Sequence, residues 1–507
     1  MSTTPTPSAA DPLSDTDRRQ RDAVVLALAE PAVRSTGRLQ LASGRNLDYQ
    51  VDAGFLPVLD DSHGEQHGLP QAAVFTTAYQ AQGPEAAGRP VCFAFNGGPG
   101  SSSVFLHLGA LGPKRVRIGD DGRCGPPPYQ ADDNPQAWFE FFDLVFIDPP
   151  LTGYSLASGE AARKQLCSVD GDVAALCEVM RAWLTRHGRW GSPVYLCGES
   201  YGTTRASAMA DLLAGQGVAL AGLILVSSAM DIQALDFKPR NDLPYGLFLP
   251  AYAGVAQYHG CLSGPLAASG EVARQAALDF VESDYLVALH RGGRLEGKAR
   301  RRIARRLAEL TGLHIDLVEQ KNLRISDETY FFELLRERGE QLGRLDARVS
   351  GPMAPARGRQ WEFDPGLEPL LGPYTMAAMA YFGGTLGLPA ERRYVVSSEA
   401  AHKIWHWNRG TETGNQYACT SPDLSRAMRR LPHLKVFVAS GLYDLGTPYS
   451  ATDWMLDQLD ITAPVRARLT HRTYGAGHMM YTRQADLLQL RADLAEWLQP
   501  ASAGPAG

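Results

Sequence analysis

Gly198-Glu199-Ser200-Tyr201-Gly202 constrains this chain more than any other stretch, because it reads as a sharp turn from a strand into a helix. Before it, Pro193-Val194-Tyr195-Leu196-Cys197 is short, apolar and β-prone; after it, residues 203–214 are rich in helix formers. A residue at the tip of such a turn is strained, and flanking glycines let helix and strand approach where side chains would intervene. The turn lifts Ser200 off the edge of a sheet, where a nucleophile must stand. The same five-residue pattern also describes an ordinary glycine-flanked turn, so the rest of the chain has to supply partners.

It supplies them in the order that a serine at such a turn needs, first an acid and then a histidine. Residues 434–439 form an apolar, strand-like run ending in Ser440-Gly441-Leu442-Tyr443-Asp444, which puts Asp444 on the loop past a strand's carboxyl end. Residues 467–474 are again strand-like and lead into Gly475-Ala476-Gly477-His478, a glycine-loosened loop. The helix after it, over 483–498, spaces Leu487, Leu490, Leu494 and Trp497 on one face. Serine is a weak nucleophile at neutral pH, so His478 takes its proton while Asp444 fixes the imidazole tautomer and stabilises the imidazolium. Acyl transfer also needs two N–H donors for the developing oxyanion. Tyr201 supplies one and the glycine-rich loop Asn96-Gly97-Gly98-Pro99-Gly100-Ser101-Ser102-Ser103, after the strand-like run 90–95, supplies the other. No Gly-Lys-Ser/Thr closes that loop, so a phosphate cradle is disfavoured. Together these features predict an α/β-hydrolase fold, a central mostly parallel sheet flanked by helices, with an inserted, mainly helical cap.

The same residues resemble the serine carboxypeptidases. The resemblance rests on the Asn96 to Ser102 loop, Asn134-Pro135 with Trp138, Gly153-Tyr154-Ser155, the Ser200 turn, Ser440-Gly441 with Asp444, and Gly475-Ala476-Gly477-His478, across roughly residues 70 to 485. It implies a triad of Ser200, Asp444 and His478, oxyanion donors at Gly98 and Tyr201, and a substrate carboxylate held by Asn96 and Glu199. The implied activity is removal of the C-terminal residue of a peptide through an acyl-enzyme. An acyltransferase or esterase uses the same machinery, and a peptide-binding protein without catalysis is the reading from another class.

A glutamate facing a substrate carboxylate repels it unless one of the two is protonated, so Glu199 is expected to hold a proton when it binds such an end. In relatives a second glutamate stands two residues before the Gly-Pro that follows the loop; here Ala110 precedes Gly112-Pro113 at that place. With no partner to share its proton, Glu199 is expected to be less strongly shifted. Ser101 stands where many relatives carry a disulfide cysteine, Asp148-Pro149-Pro150-Leu151-Thr152 lacks a glycine before Gly153, and Met479-Met480 follows His478. These departures bear on pocket shape more than on chemistry.

The 507 residues, 44% of them hydrophobic, suffice for a large core plus an inserted unit. The expected division is a loose segment over 1–30, a first core part over 31–230, a helical cap over 231–400 where strand-helix alternation stops, a second core part over 401–500, and a tail over 501–507. The basic run 298–306 reads as a solvated amphipathic cap helix, since Ile303, Leu307 and Leu310 share one face. With a net charge of −6, a nucleic-acid partner is not expected; the expected partner is a peptide substrate, and oligomeric state is silent. Seven cysteines, with Cys92, Cys177 and Cys197 in apolar runs, read as reduced core residues, and no CxxC or HExxH spacing calls for a metal; no cofactor is expected. Residues 1–17 lack a basic start followed by an apolar run, and no apolar stretch approaches twenty residues, so the default expectation is a cytoplasmic chain without a membrane span, secretion or a periplasmic location remaining open. Trp405 and Trp407 are expected to pack the cap onto the core.

Overall fold

Short runs of β-branched and aromatic residues, buried along their whole length at 91–95, 143–147 and 222–226, form the middle of one sheet. The structure is a computed structural model and describes residues 14–499, apart from 61–66, 84, 85, 87, 356–360, 390 and 411–416. Across the sheet the strands run Val33–Gln40, Asn46–Leu59, Pro70–Ala81, Asp143–Ile147, Val91–Phe95, Val194–Glu199, Gly222–Val226, Lys435–Gly441 and Leu469–Tyr474, with Leu156–Ala157 pairing at the side of the third. The first three pair antiparallel and Asp143–Ile147 pairs antiparallel with Pro70–Ala81; from there to Leu469–Tyr474 every pairing is parallel. This is the α/β-hydrolase fold.

Parallel strands need helices on both faces, and successive side chains meet them alternately. Val91, Phe93 and Phe95 pack with Leu176, Trp183 and Met209 of the helices Val169–Arg186 and Tyr201–Gly215. Cys92 and Ala94 face the opposite layer with Leu487, Leu490, Leu494 and Trp497 of the helix Gln484–Leu498, where the helical spacing places them. All seven cysteines are free, and Cys92, Cys177 and Cys197 are buried.

Two features differ from the expected division. Residues 15–29 of the supposedly loose head form the helix Asp15–Ala29, capped by the Ser14 side chain, with Val24 and Ala27 fully buried; residues 1–13 and the expected tail over 501–507 lie outside the described residues. The stretch expected as one cap over 231–400 packs in two parts. Helices Leu243–Tyr258, Gly270–Phe280, Gly297–Thr311 and Asp327–Glu333 bury Phe248, Tyr252, Leu307 and Tyr330 among themselves. Leu370, Tyr374, Tyr381 and Phe382 instead join the core beneath the sheet, where buried aromatic area outweighs the absence of strand-helix alternation. In Gly297–Thr311 the arginines lie outside, Arg302 on Asp284 at 2.8 Å and Arg301 on Glu319 at 3.3 Å. Among the described residues no helix is long and apolar enough to cross a membrane.

Candidate active site

Parallel strands that end at one edge of a sheet gather their following loops into a common crevice. In the pairing register Phe95 lies beside Gly198, Val226 beside Glu199 and also beside Ala439, and Gly441 beside Tyr474. The residues that follow those strand ends are Asn96, Ser200, Ser227, Asp444 and His478. These five residues therefore leave the same edge.

Ser200 stands between the strand Val194–Glu199 and the helix Tyr201–Gly215 with φ +60° and ψ −129°, a conformation costly for a residue with a side chain. Its N–H donates to Val226 C=O at 2.9 Å, and the side chain is half-buried. The turn closes because of its glycines: a Cβ on Gly198 would collide with Gly202 C=O, and one on Gly202 would stand 2.9 Å from Phe95 C=O. Next door, Ser227 Oγ donates to His478 C=O at 2.7 Å, tying the histidine loop to the strand beside Ser200.

His478 Nδ1 lies 2.7 Å from Asp444 Oδ2, with Asp444 fully buried and His478 nearly so. Asp444 Oδ1 accepts from Gly446 N–H at 2.8 Å and Thr447 N–H at 3.0 Å, while Thr447 Oγ1 donates to Oδ2 at 2.7 Å. Burial pushes the Asp444 carboxyl up, but the charge and hydrogen bond of His478 and the Thr447 donors outweigh it and leave the group below its ordinary value. For His478 burial pulls down, and the charge and hydrogen bond of Asp444, helped by Glu199, carry it above its ordinary value. No hydrogen bond joins Ser200 Oγ to His478 in this structure; such contacts commonly tighten when substrate arrives.

The glycine-rich loop lies hard against the turn. A Cβ on Gly97 would fall on Tyr201 N and stand 2.6 Å from Gly202 N, so only glycine fits. Neither Gly98 N–H nor Tyr201 N–H is bonded to a protein acceptor among the described residues. Asn96 is anchored three ways: Oδ1 accepts from Leu106 N–H at 3.0 Å, C=O accepts from Arg205 Nη1 at 2.6 Å, and Nδ2 donates to Glu199 Oε1 at 2.7 Å. Arg205, fully buried, also bonds Asp172 at 2.7 Å through Nε.

Glu199 is buried, and its second oxygen accepts the Tyr481 hydroxyl at 2.6 Å. Burial pushes its carboxyl up to about 7, against the pull of the His478 charge and the Tyr481 and Asn96 hydrogen bonds. Ala110, fully buried, stands in place of a second acid, so burial rather than a shared proton raises the group. Sequence reasoning missed Tyr481, whose only signal is an aromatic three residues after His478. It also missed Arg205 and Thr447, which present no motif. Trp405 and Trp407 pack edge-on to the Tyr201 ring, with centroids at 5.2 and 5.7 Å.

A second Ser-His-Asp line exists nearby. His471 Nδ1 lies 2.8 Å from Asp453 and Nε2 lies 3.0 Å from Ser440 Oγ, yet Ser440 is fully buried in its strand and no substrate reaches it.

Residues 55–219 match the family model described as serine carboxypeptidase. Serine carboxypeptidase-like 50 of Arabidopsis thaliana is 32% identical over 156 residues, 29% of this chain and 30% of that protein. The pheromone-processing carboxypeptidase kex1 of Sclerotinia sclerotiorum is 34% identical over 107 residues, 21% of this chain and 15% of that protein. Both alignments span less than a third of the relative's own length. Among solved structures, esterase E22 is 11% identical with a TM-score of 0.37, covering 92% of this chain and 100% of that one, too distant a likeness to add to the strand order above.

Proposed function

The chain is a relative of the serine carboxypeptidases, and from that premise we propose that it is a serine-type carboxypeptidase that hydrolyses the C-terminal peptide bond of peptides. Ser200 Oγ attacks the scissile carbonyl as His478 Nε2 takes its proton, and Asp444 keeps Nδ1 protonated and oriented. The N–H groups of Gly98 and Tyr201, left without protein acceptors, receive the oxyanion. His478 then protonates the departing amine, and water attacks the acyl-enzyme by the reverse route to restore Ser200.

One observation carries the exopeptidase reading: Glu199, next to Ser200, is a buried carboxyl hydrogen-bonded to Asn96, and burial pushes it up to about 7. A protonated Glu199 and the Asn96 amide are donors suited to a terminal carboxylate, which places the last peptide bond over Ser200. The test compares kcat/KM for one peptide with a free C-terminus and with a C-terminal amide. The free peptide is expected to be the better substrate by about a hundredfold, as for loss of a charge-assisted pair. Equal rates at every pH contradict the reading.

A further inference from the structure

The stretch 343–347 leaves the helical insert and runs alongside the loops that carry Asp444 and His478. Arg344 C=O accepts from Leu445 N–H at 3.0 Å, Leu345 C=O accepts from His478 N–H at 2.6 Å, and Ala347 N–H donates to Tyr443 C=O at 2.9 Å. Asp364 holds the stretch from the other side, its carboxylate accepting from the N–H groups of Arg344 at 2.9 Å, Leu345 at 3.2 Å and Gly366 at 2.8 Å. The Arg344 backbone is thus fixed, while its side chain is exposed.

That side chain lies over the triad's acid loop. The guanidinium carbon stands 3.7 Å from the point where a Cβ on Gly446 would sit, and Asp444 Oδ1 stands 3.3 Å from the same point. Leu345 Cδ2 stands 2.8 Å from that point, so the glycine at 446 lets the 343–347 stretch pack closely on the loop. No ion pair engages Arg344 among the described residues: Asp364 spends its oxygens on backbone donors, and Asp327 accepts from Glu328 N–H at 2.7 Å. Its charge reaches these groups all the same. Burial pushes Asp327 and Asp364 up and Arg344 opposes the rise in both, while at His478 it opposes protonation. An exposed, unpaired guanidinium on a fixed backbone beside the Asp444 loop is arranged to receive an anion.

We propose that Arg344 is a specificity-determining residue that selects an acidic side chain, Asp or Glu, on the acyl side of the scissile bond. The assignment rests on the carboxypeptidase reading in one respect. There the terminal carboxylate belongs to Asn96, just past Val91–Phe95, and Glu199, at the end of the neighbouring strand Val194–Glu199, so a cation against the Asp444 loop, two strands further along the sheet, faces the residue across the bond. Arginine suits this place because its planar fork pairs with a carboxylate through two parallel N–H donors.

The test uses N-acyl amino-acid p-nitrophenyl esters with Glu, Ala or Lys as the acyl residue, and peptides carrying the same three residues before a C-terminal Phe. Wild type is expected to favour Glu over Ala and Ala over Lys in kcat/KM. Arg344→Ala is expected to cut the Glu substrates about tenfold more than the Ala substrates, Arg344→Lys to keep part of the preference, and Arg344→Glu to reverse it. Unchanged labelling of Ser200 by a small neutral fluorophosphonate shows that the variants keep their site. A Glu-to-Ala ratio equal in wild type and Arg344→Ala overturns the proposal. If the esters follow the pattern while peptides are not trimmed, the Arg344 assignment stands and the carboxypeptidase reading fails.

Discussion

Tyr481 donates its hydroxyl to Glu199 at 2.6 Å from the 3₁₀ turn Met480–Thr482, so the loop that carries His478 also supplies a neutral donor to the carboxyl beside Ser200. The Tyr481 hydroxyl sits well above its ordinary pKa, chiefly through burial, and stays a donor at any working pH. Ala110 cannot share a proton with Glu199; Tyr481 can only stabilise the ionised form.

A pH profile follows from these signs. Peptides with a free C-terminus need neutral His478 and protonated Glu199, so kcat/KM rises as His478 loses its proton and falls as Glu199 loses its own near pH 7. The outcome is a narrow bell around neutrality, whereas esters and amides, which do not need protonated Glu199, show only the rising limb. Tyr481→Phe removes a bond that favours the ionised carboxyl, raises Glu199 further, and moves the alkaline limb for free peptides up by about one pH unit. Steady-state profiles on both substrate types check this. An unmoved alkaline limb contradicts the role of Tyr481.

Thr447→Val removes the hydroxyl that donates to Asp444 Oδ2 while the backbone N–H to Oδ1 remains. The expected result is a kcat lower by about tenfold with KM little changed, because the bond supports the imidazolium formed in the transition state. Steady-state kinetics with a single ester separates the two parameters.

Gly97→Ala puts a methyl group onto the Tyr201 and Gly202 N–H groups. Retraction of the loop is expected to spoil the oxyanion donors and lower kcat by about a hundredfold or more. Circular dichroism of the variant alongside its kinetics shows whether the fold survives the loss.

Arg205→Leu leaves Asp172 as a buried, uncompensated carboxylate and frees Asn96 C=O. Destabilisation of about 3–5 kcal/mol is expected in denaturant unfolding, with much of it recovered by adding Asp172→Leu. Because burial already pushes Asp172 up against the pull of Arg205, the single variant is expected to recover stability as pH falls.

The positions of Ser200, Asp444 and His478 at strand ends and the parallel half of the sheet were legible because their signals are local: a strand-like run, a glycine-bearing loop, and one polar residue at a strand end. The two strands Val33–Gln40 and Asn46–Leu59 were passed over although Leu47, Tyr49, Val51 and Ala53 alternate, since polar residues such as Arg34, Thr36 and Asp48 dilute the apolar signal on an edge. The Asp15–Ala29 helix was masked by its charged first turns. Tyr481 and Arg205 make contacts 282 and 109 residues away in sequence, and only tertiary packing brings such side chains to a site.

The most direct test of the account is mass spectrometry of a peptide mixture, with free and with amidated C-termini, incubated with wild type and with Ser200→Ala. The account predicts stepwise loss of C-terminal residues from free ends only, by wild type only. Internal cleavage, equal trimming of amidated ends, or trimming by Ser200→Ala contradicts it.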